Sequence, residues 1–214
     1  RGTGDSTGEH ATCVWSDWCG DVRAAAEWLE ATLPVPWGLL GIRLGATLAA
    51  QCAAATTLAP LVLIEPVLSG GEYLDNLVRR RAIRAMMIRG EQQTADSEPE
   101  TQWDAGAAVD FGGFDVNPTL AADLRGLSLP DSLESISPDV PVAIFRVAPT
   151  QRLDARWSTL FDTVARRPSG HAEVVRDKPF WGQIEYYESD VVPSRIENWL
   201  TGQQTEERDT SCED

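Results

Sequence analysis

Lys178 is the only lysine in this 214-residue chain, and His10 and His171 are its only histidines. Eighteen cationic side chains face 33 acidic ones, leaving a net charge of −15 and a pI near 4.5. A field this negative argues against DNA, RNA and anionic membrane surfaces as partners, because phosphate binding requires cation-rich faces. The four cysteines, Cys13, Cys19, Cys52 and Cys212, have no C-x-x-C spacing. With two imidazoles to join them, a structural zinc site is not expected, and neither is a cofactor. Long apolar runs are also missing. The best candidate, Leu44 to Leu63, is diluted by Gln51, three threonines and Pro60, so no membrane-spanning helix is expected. No basic segment followed by an apolar one opens the chain, and the expected setting is cytoplasmic with reduced thiols. The sequence does not reveal an oligomeric state.

What is present is ordinary for a globular domain: 43% hydrophobic and 24% charged residues. Asp17 to Leu33 has helical spacing and stops at Pro34. The apolar run Val35 to Leu40 predicts a buried strand, Leu44 to about Thr57 an Ala-rich helix, and Leu61 to Ile64 a second buried strand. Strand, glycine-framed turn, helix and strand within about 30 residues form a βαβ unit, which implies a parallel sheet. Residues 69–135 interrupt the alternation and read as an insertion covering the end of the sheet. Within it, Ser69-Gly-Gly-Glu72 has capping-box spacing ahead of a helix to about Arg89. Glu91 to Glu100 reads as a loop, and Ala107 to Phe114 as a short strand or hairpin. Asn117-Pro118 caps a helix to about Arg125. The alternation resumes with a strand over Val142–Val147, a helix over Leu153–Arg166, a strand over Ala172–Val175 and a closing helix over Pro193–Leu200. Residues 1–200 are expected to form the domain, and the acidic stretch 201–214 a disordered tail.

Gly41-Ile42-Arg43-Leu44-Gly45 sets glycines two residues either side of a central residue, between strand and helix. That is the frame of the G-x-S-x-G turn, which thrusts its central side chain above a sheet and aims helix-start amides at an oxyanion. Arg1-Gly-Thr-Gly-Asp-Ser6 resembles the R-G-x-G-x-S loop ahead of the first large helix in many α/β-hydrolases. Trp37-Gly-Leu-Leu-Gly-Ile-Arg-Leu-Gly-Ala46, Glu65-Pro-Val-Leu-Ser-Gly70 and Tyr73-Leu74 resemble the exosortase A system-associated hydrolases of type 2. Phe114-Asp115 through Leu124, and Pro179-Phe-Trp181, extend that likeness over residues 1–200. The resemblance implies a mostly parallel α/β-hydrolase sheet with helices on both faces and a cap-like insertion. It also implies that the first strands and one oxyanion-hole amide lie ahead of Arg1. For function it implies a bacterial hydrolase of an ester or other acyl substrate, beside exopolysaccharide and protein-sorting systems.

The chain departs from that pattern at the chemistry. Arg43 holds the serine's place, and a guanidinium keeps its proton at ordinary pH and cannot attack a carbonyl. The resemblance puts a histidine after the last strand, where the sequence reads Lys178-Pro-Phe-Trp181, and an acid after Val147, where it reads Ala148-Pro-Thr-Gln151. Asp154 comes later and reads as helical. His171 reads as preceding the last strand, on the opposite edge of the sheet. No residue is therefore assigned as catalytic. Arg43 has two open readings, a receptor for an anion at a helix start or an internal ion pair with Glu65, and the two are compatible. Glu65 as a replacement acid has no histidine to orient. Ser69 as a nucleophile competes with its capping role. Trp181 and Phe180 either line a pocket or pack in the core. Arg79, Arg80, Arg81 and Arg84 form either a solvated basic face or a patch for an acidic partner. Two function classes follow. One is a hydrolase acting on an acyl substrate; the other is a catalytically silent relative that binds a small anionic ligand or a partner protein.

Overall fold

The computed structural model describes residues 1–54, 60–89, 98–181 and 187–210, with 88–89 and 203–210 described by backbone alone. After a 3-10 turn at His10–Thr12 come α1 (Trp15–Thr32), β1 (Leu39–Ile42), α2 (Leu44–Ala53) and β2 (Leu61–Ile64). Then follow α3 (Gly70–Arg89), α4 (Pro99–Asp104), β3 (Val109–Asp110), β4 (Asp115–Val116), α5 (Pro118–Arg125) and α6 (Leu129–Glu134). The chain continues through β5 (Val142–Ala148), α7 (Ala155–Ala165), β6 (Gly170–Arg176) and α8 (Val191–Thr210).

Residues 34–66 and 133–214 form one unit, built on a four-stranded parallel sheet of order β1-β2-β5-β6. β2 is buried at all four positions and β5 at its first four. A strand hidden on both faces in this way is what an unbroken aliphatic run requires in a parallel sheet. Val62, Ile64, Ala143, Phe145 and Val147 share one face and pack with Val192 and Ile196 of α8. Leu61, Leu63, Val142 and Ile144 point the other way and are fully buried, while α2 packs on β1 and β2 and α7 on β5 and β6. Burying each such side chain contributes about 1.5–3 kcal/mol, so these two layers stabilise the unit.

Residues 1–33 and 67–132 form the other unit. Asn117 caps α5 as its sequence indicates, its side chain accepting the Leu120 N–H at 2.8 Å. Ser69 Oγ accepts the Glu72 N–H at 3.4 Å at the start of α3. The strand or hairpin expected at 107–114 is the β3–β4 hairpin, turned by Gly112 and Gly113 at φ 89° and 96°. Part of the Arg-rich face of α3 is tied to this hairpin: Arg81 Nε donates to Asp110 O at 3.1 Å.

Several boundaries differ from the expectations. The first strand starts at Leu39 rather than Val35, because Pro34 and Pro36 have no N–H for a ladder, and Val35 is 57% exposed. The helix after the turn ends at Ala53, and the expected end at Thr57 lies outside the described residues. Most of the loop expected at 91–100 also lies outside them, but Pro99 and Glu100 open α4, with Pro at its favoured first position. α6 was not anticipated, being only six residues long. β6 begins at Gly170, so His171 lies inside the last strand, paired with Ala143, rather than before it. α8 runs through Thr210, past the expected end at Leu200, since nothing in its Gln- and Glu-rich continuation stops a helix abruptly. Residues 211–214 of the expected tail lie outside the described residues.

Candidate functional site

The glycine-framed turn joins β1 to α2 within a single residue. Arg43 takes φ 56° and ψ −123° there, a backbone state that costs a non-glycine residue about 1–3 kcal/mol. Gly41 makes the turn possible, since a Cβ on it would lie 2.4 Å from Gly45 O and 2.5 Å from Ala46 Cα. Gly45 is different: a Cβ there would meet nothing within 4 Å. Ile42 ends the strand, 40% exposed, and Leu44 opens the helix.

Arg43 Nη1 donates to the backbone carbonyl of Glu65 at 3.3 Å and lies 3.9 Å from its carboxylate Oε1. The guanidinium carbon sits 5.0 Å from the Trp181 ring centroid, within cation–π range. Trp181 meets Phe180 edge-on at 5.1 Å and leans on the core beneath α8. Of the two roles read for Trp181, core packing is the one seen, and its ring also meets Arg43. Arg43, Glu65 and Trp181 come together, and the ion pair read from sequence is formed.

Glu65 follows β2 at φ 41°, the second strained residue at a strand end. Its Oε2 accepts the Val147 N–H at 2.8 Å, so this side chain bridges β2 to β5. Burial pushes the Glu65 carboxyl above its ordinary value; the Val147 hydrogen bond and the charges of Arg43 and Arg146 oppose this without cancelling it.

The positions where the resemblance puts an acid and a histidine hold other structures. Asp154 is the N-cap of α7 and accepts the N–H groups of Arg156 and Trp157, both at 3.0 Å. After β6, Asp177 accepts from Lys178 N at 2.7 Å and from the hydroxyls of Tyr187 and Ser189. Burial pushes the Asp177 carboxyl up, but those three hydrogen bonds outweigh it and hold the group below its ordinary range. His171 lies between the rings of Phe145 and Trp199, at 5.4 and 6.5 Å, with Nε2 3.4 Å from Glu173. In the sheet register it is three rows from Val174, which pairs with Arg146 at the end of the sheet that bears Arg43.

Sequence reasoning missed Arg146. The signal was there: one charged residue inside the apolar run Val142-Ala-Ile-Phe-Arg-Val147. It also missed the Asp177 junction, whose partners are ten and twelve residues away.

A helix leaving a parallel strand through a strained, glycine-braced turn at the end of the sheet is found in a known architecture, and comparison with solved structures agrees. Est1E from Butyrivibrio proteoclasticus, solved with ferulic acid bound, superposes with a TM-score of 0.61 at 14% identity, over 95% of this chain and 74% of its own. The chain has the α/β-hydrolase fold. An esterase from Pyrococcus furiosus matches with a TM-score of 0.56 at 17% identity, covering 94% of this chain and 66% of that one. A carboxylesterase from the ammonia-oxidizing thaumarchaeon Nitrososphaera gargenis matches at 0.55 and 15%, over 96% and 77%. The chain thus spans between about two thirds and three quarters of the length of these α/β-hydrolase-fold proteins. No protein-family model matches the sequence, and no curated protein matches it. Among the described residues, no α/β-hydrolase helix of this chain is long and apolar enough to cross a membrane.

Proposed function

We propose that this protein is a catalytically silent relative of the α/β-hydrolases that binds a small organic carboxylate at its elbow. The observation that carries the reading is Arg43 itself. It stands at the strained turn position with its guanidinium held by Glu65 and Trp181. Such strain persists where the side chain it presents has work to do. A guanidinium at a helix start meets a carboxylate with paired N–H donors, and the α2 amides face the same charge. Glu65 orients Arg43 in the absence of ligand, and Trp181 offers an apolar wall to the carbon skeleton. The ferulic acid on Est1E is an aromatic carboxylate, and such a molecule suits a guanidinium beside an indole. The proposed setting is a bacterial cytoplasm beside an exosortase and exopolysaccharide system, on the strength of the residues of 37–90 quoted above.

A second reading, hydrolysis of an ester or other acyl substrate, is favoured by the esterases among the structural neighbours. It requires a nucleophile other than the elbow residue.

Fluorophosphonate labelling with p-nitrophenyl ester turnover separates the two, alongside thermal-shift titration with butyrate and ferulate. The binding reading expects no labelling, no turnover, and carboxylate stabilisation that Arg43→Ala abolishes. Labelling of a defined serine, with turnover lost on its mutation, overturns it in favour of the hydrolase.

A further inference from the structure

The two halves of α3 differ in charge. Its first half holds Glu72 and Asp75, with Leu74 buried and Leu77 and Val78 half-buried. Residues 79–89 hold five arginines and no acid, in a chain whose net charge is −15. With about 100° of turn per residue, Arg79, Ile83, Met86 and Met87 fall within about 100° of arc, and Arg80 and Arg84 run along one border of it. That arc faces solvent. Ile83 is 50% exposed, Met86 59% and Met87 83%, and Arg79, Arg80 and Arg84 are exposed beside them. The opposite side of the helix belongs to the fold: α3 lies against α5, and Arg81 reaches Asp110 of the hairpin.

A solvated basic face accounts for arginines on a helix. It does not account for three large apolar side chains left in water among them, because a single exposed apolar residue is ordinary but a cluster rimmed by charge marks a contact surface. Positions 83, 86 and 87 have the i, i+3, i+4 spacing of the anchors by which a helix is gripped. Arginine and methionine are both enriched in such surfaces, methionine because its unbranched stem adapts to the shape it meets. Arg79 and Arg80 make no hydrogen bond or ion pair among the described residues. The Arg84 guanidinium lies against Gly112, which fixes that border of the arc.

We propose that residues 79–87 of α3 dock an acidic amphipathic helix of a partner protein, with its apolar stripe on Ile83, Met86 and Met87 and its carboxylates on Arg79, Arg80 and Arg84. The proposal is independent of the carboxylate reading of Arg43. Only one side of α3 is open, so a helix laid alongside fits it and an encircling groove does not. Each guanidinium offers a carboxylate two parallel N–H donors. A helix is about 10–12 Å wide, and charge is screened over about 8 Å at physiological salt, so such a partner meets mainly the local arginines. An anionic bilayer spreads further and meets the negative field of the rest of the chain.

The test is fluorescence anisotropy of the 214-residue chain with three fluorescein-labelled peptides, each about five helical turns long. One has Leu at i, i+3, i+4 and i+7 spacing with Glu and Ala elsewhere, one has Lys in place of Glu, and one scrambles the order of the Glu peptide. The ordered Glu peptide should bind at least about tenfold more tightly than either control, a difference worth about 1.4 kcal/mol. Arg79→Glu with Arg80→Glu should erase that preference, and Met86→Ser with Met87→Ser should weaken the ordered peptide by a comparable factor. All four positions are exposed, denaturant midpoints check that the variants fold, and Arg79→Gln with Arg80→Gln serves if the Glu pair does not. Equal binding of the ordered and scrambled Glu peptides overturns the docking face. So does a loss confined to the arginine variants, which would leave a solvated basic face. Tighter association with phosphatidylserine–phosphatidylcholine vesicles than with the Glu peptide overturns it in favour of a membrane surface. Absence of binding by all three peptides also overturns it.

Discussion

Two regions of this molecule hold backbone at positive φ in opposite ways. The β3–β4 hairpin uses glycine at both left-handed positions, Gly112 and Gly113. The ends of β1 and β2 use Arg43 and Glu65, the only described non-glycine residues with positive φ. A hairpin turn needs only the shape, and glycine supplies it at least steric cost. At the strand ends the shape comes with two long charged side chains, brought within ion-pair reach of each other. The strain costs about 1–3 kcal/mol per residue, so side chains kept there are kept for what they contact.

The largest expected effect separates the two glycines of the turn. Gly41→Ala would drive a Cβ to 2.4 Å from Gly45 O. It should destabilise the protein by about 3 kcal/mol, read as a drop in the denaturant midpoint. Gly45→Ala, with open space around its Cβ, should stabilise it by about 0.5–1 kcal/mol through better helix propensity. Equal losses from both would mean that the frame is rigid on both sides.

Exchanging the two solutions gives the next effect. Arg43→Gly should raise stability by about 1 kcal/mol by relieving strain while ending carboxylate binding. Gly112→Ala should lower it by about 1 kcal/mol, with binding unchanged. A stability loss from Arg43→Gly would show that the contacts of Arg43 outweigh its backbone strain.

The smallest effect is a slope with pH. The folded Glu65 carboxyl titrates above its ordinary 4.5 because burial disfavours the anion. In the window above 4.5 the native state therefore holds more proton than the unfolded chain. This group's contribution to stability is full below that window and is lost as pH rises through the folded value. Glu65→Gln should flatten that fall, seen in denaturant midpoints taken at a series of pH values. An unchanged slope would place the titration in another group.

Much of the fold could be read in the chain. The aliphatic run Leu61–Ile64 could be little other than a buried strand, and Asn117-Pro118 announced its helix because a cap is a local event. The Arg43–Glu65 pair was also legible, since both residues follow strands that the βαβ pattern makes neighbours. Arg146 was not. Its place in the strand row that holds Arg43 and Glu65 is set by pairing between strands about 80 residues apart. His171 was misplaced by one element because Gly170 and His171 carry no strand signal of their own and enter β6 only by pairing with Val142 and Ala143.

The sequence by itself determined the order of the sheet strands and of the helices between them, the net negative charge and the arginine at the turn, because periodicity, caps and charge are properties of neighbours along the chain. Tertiary structure alone decided which glycine is indispensable, that Glu65 lies between two arginines, and that Trp181 both packs on the core and meets Arg43. Those outcomes depend on register and close approach across strands, distances that no local pattern encodes.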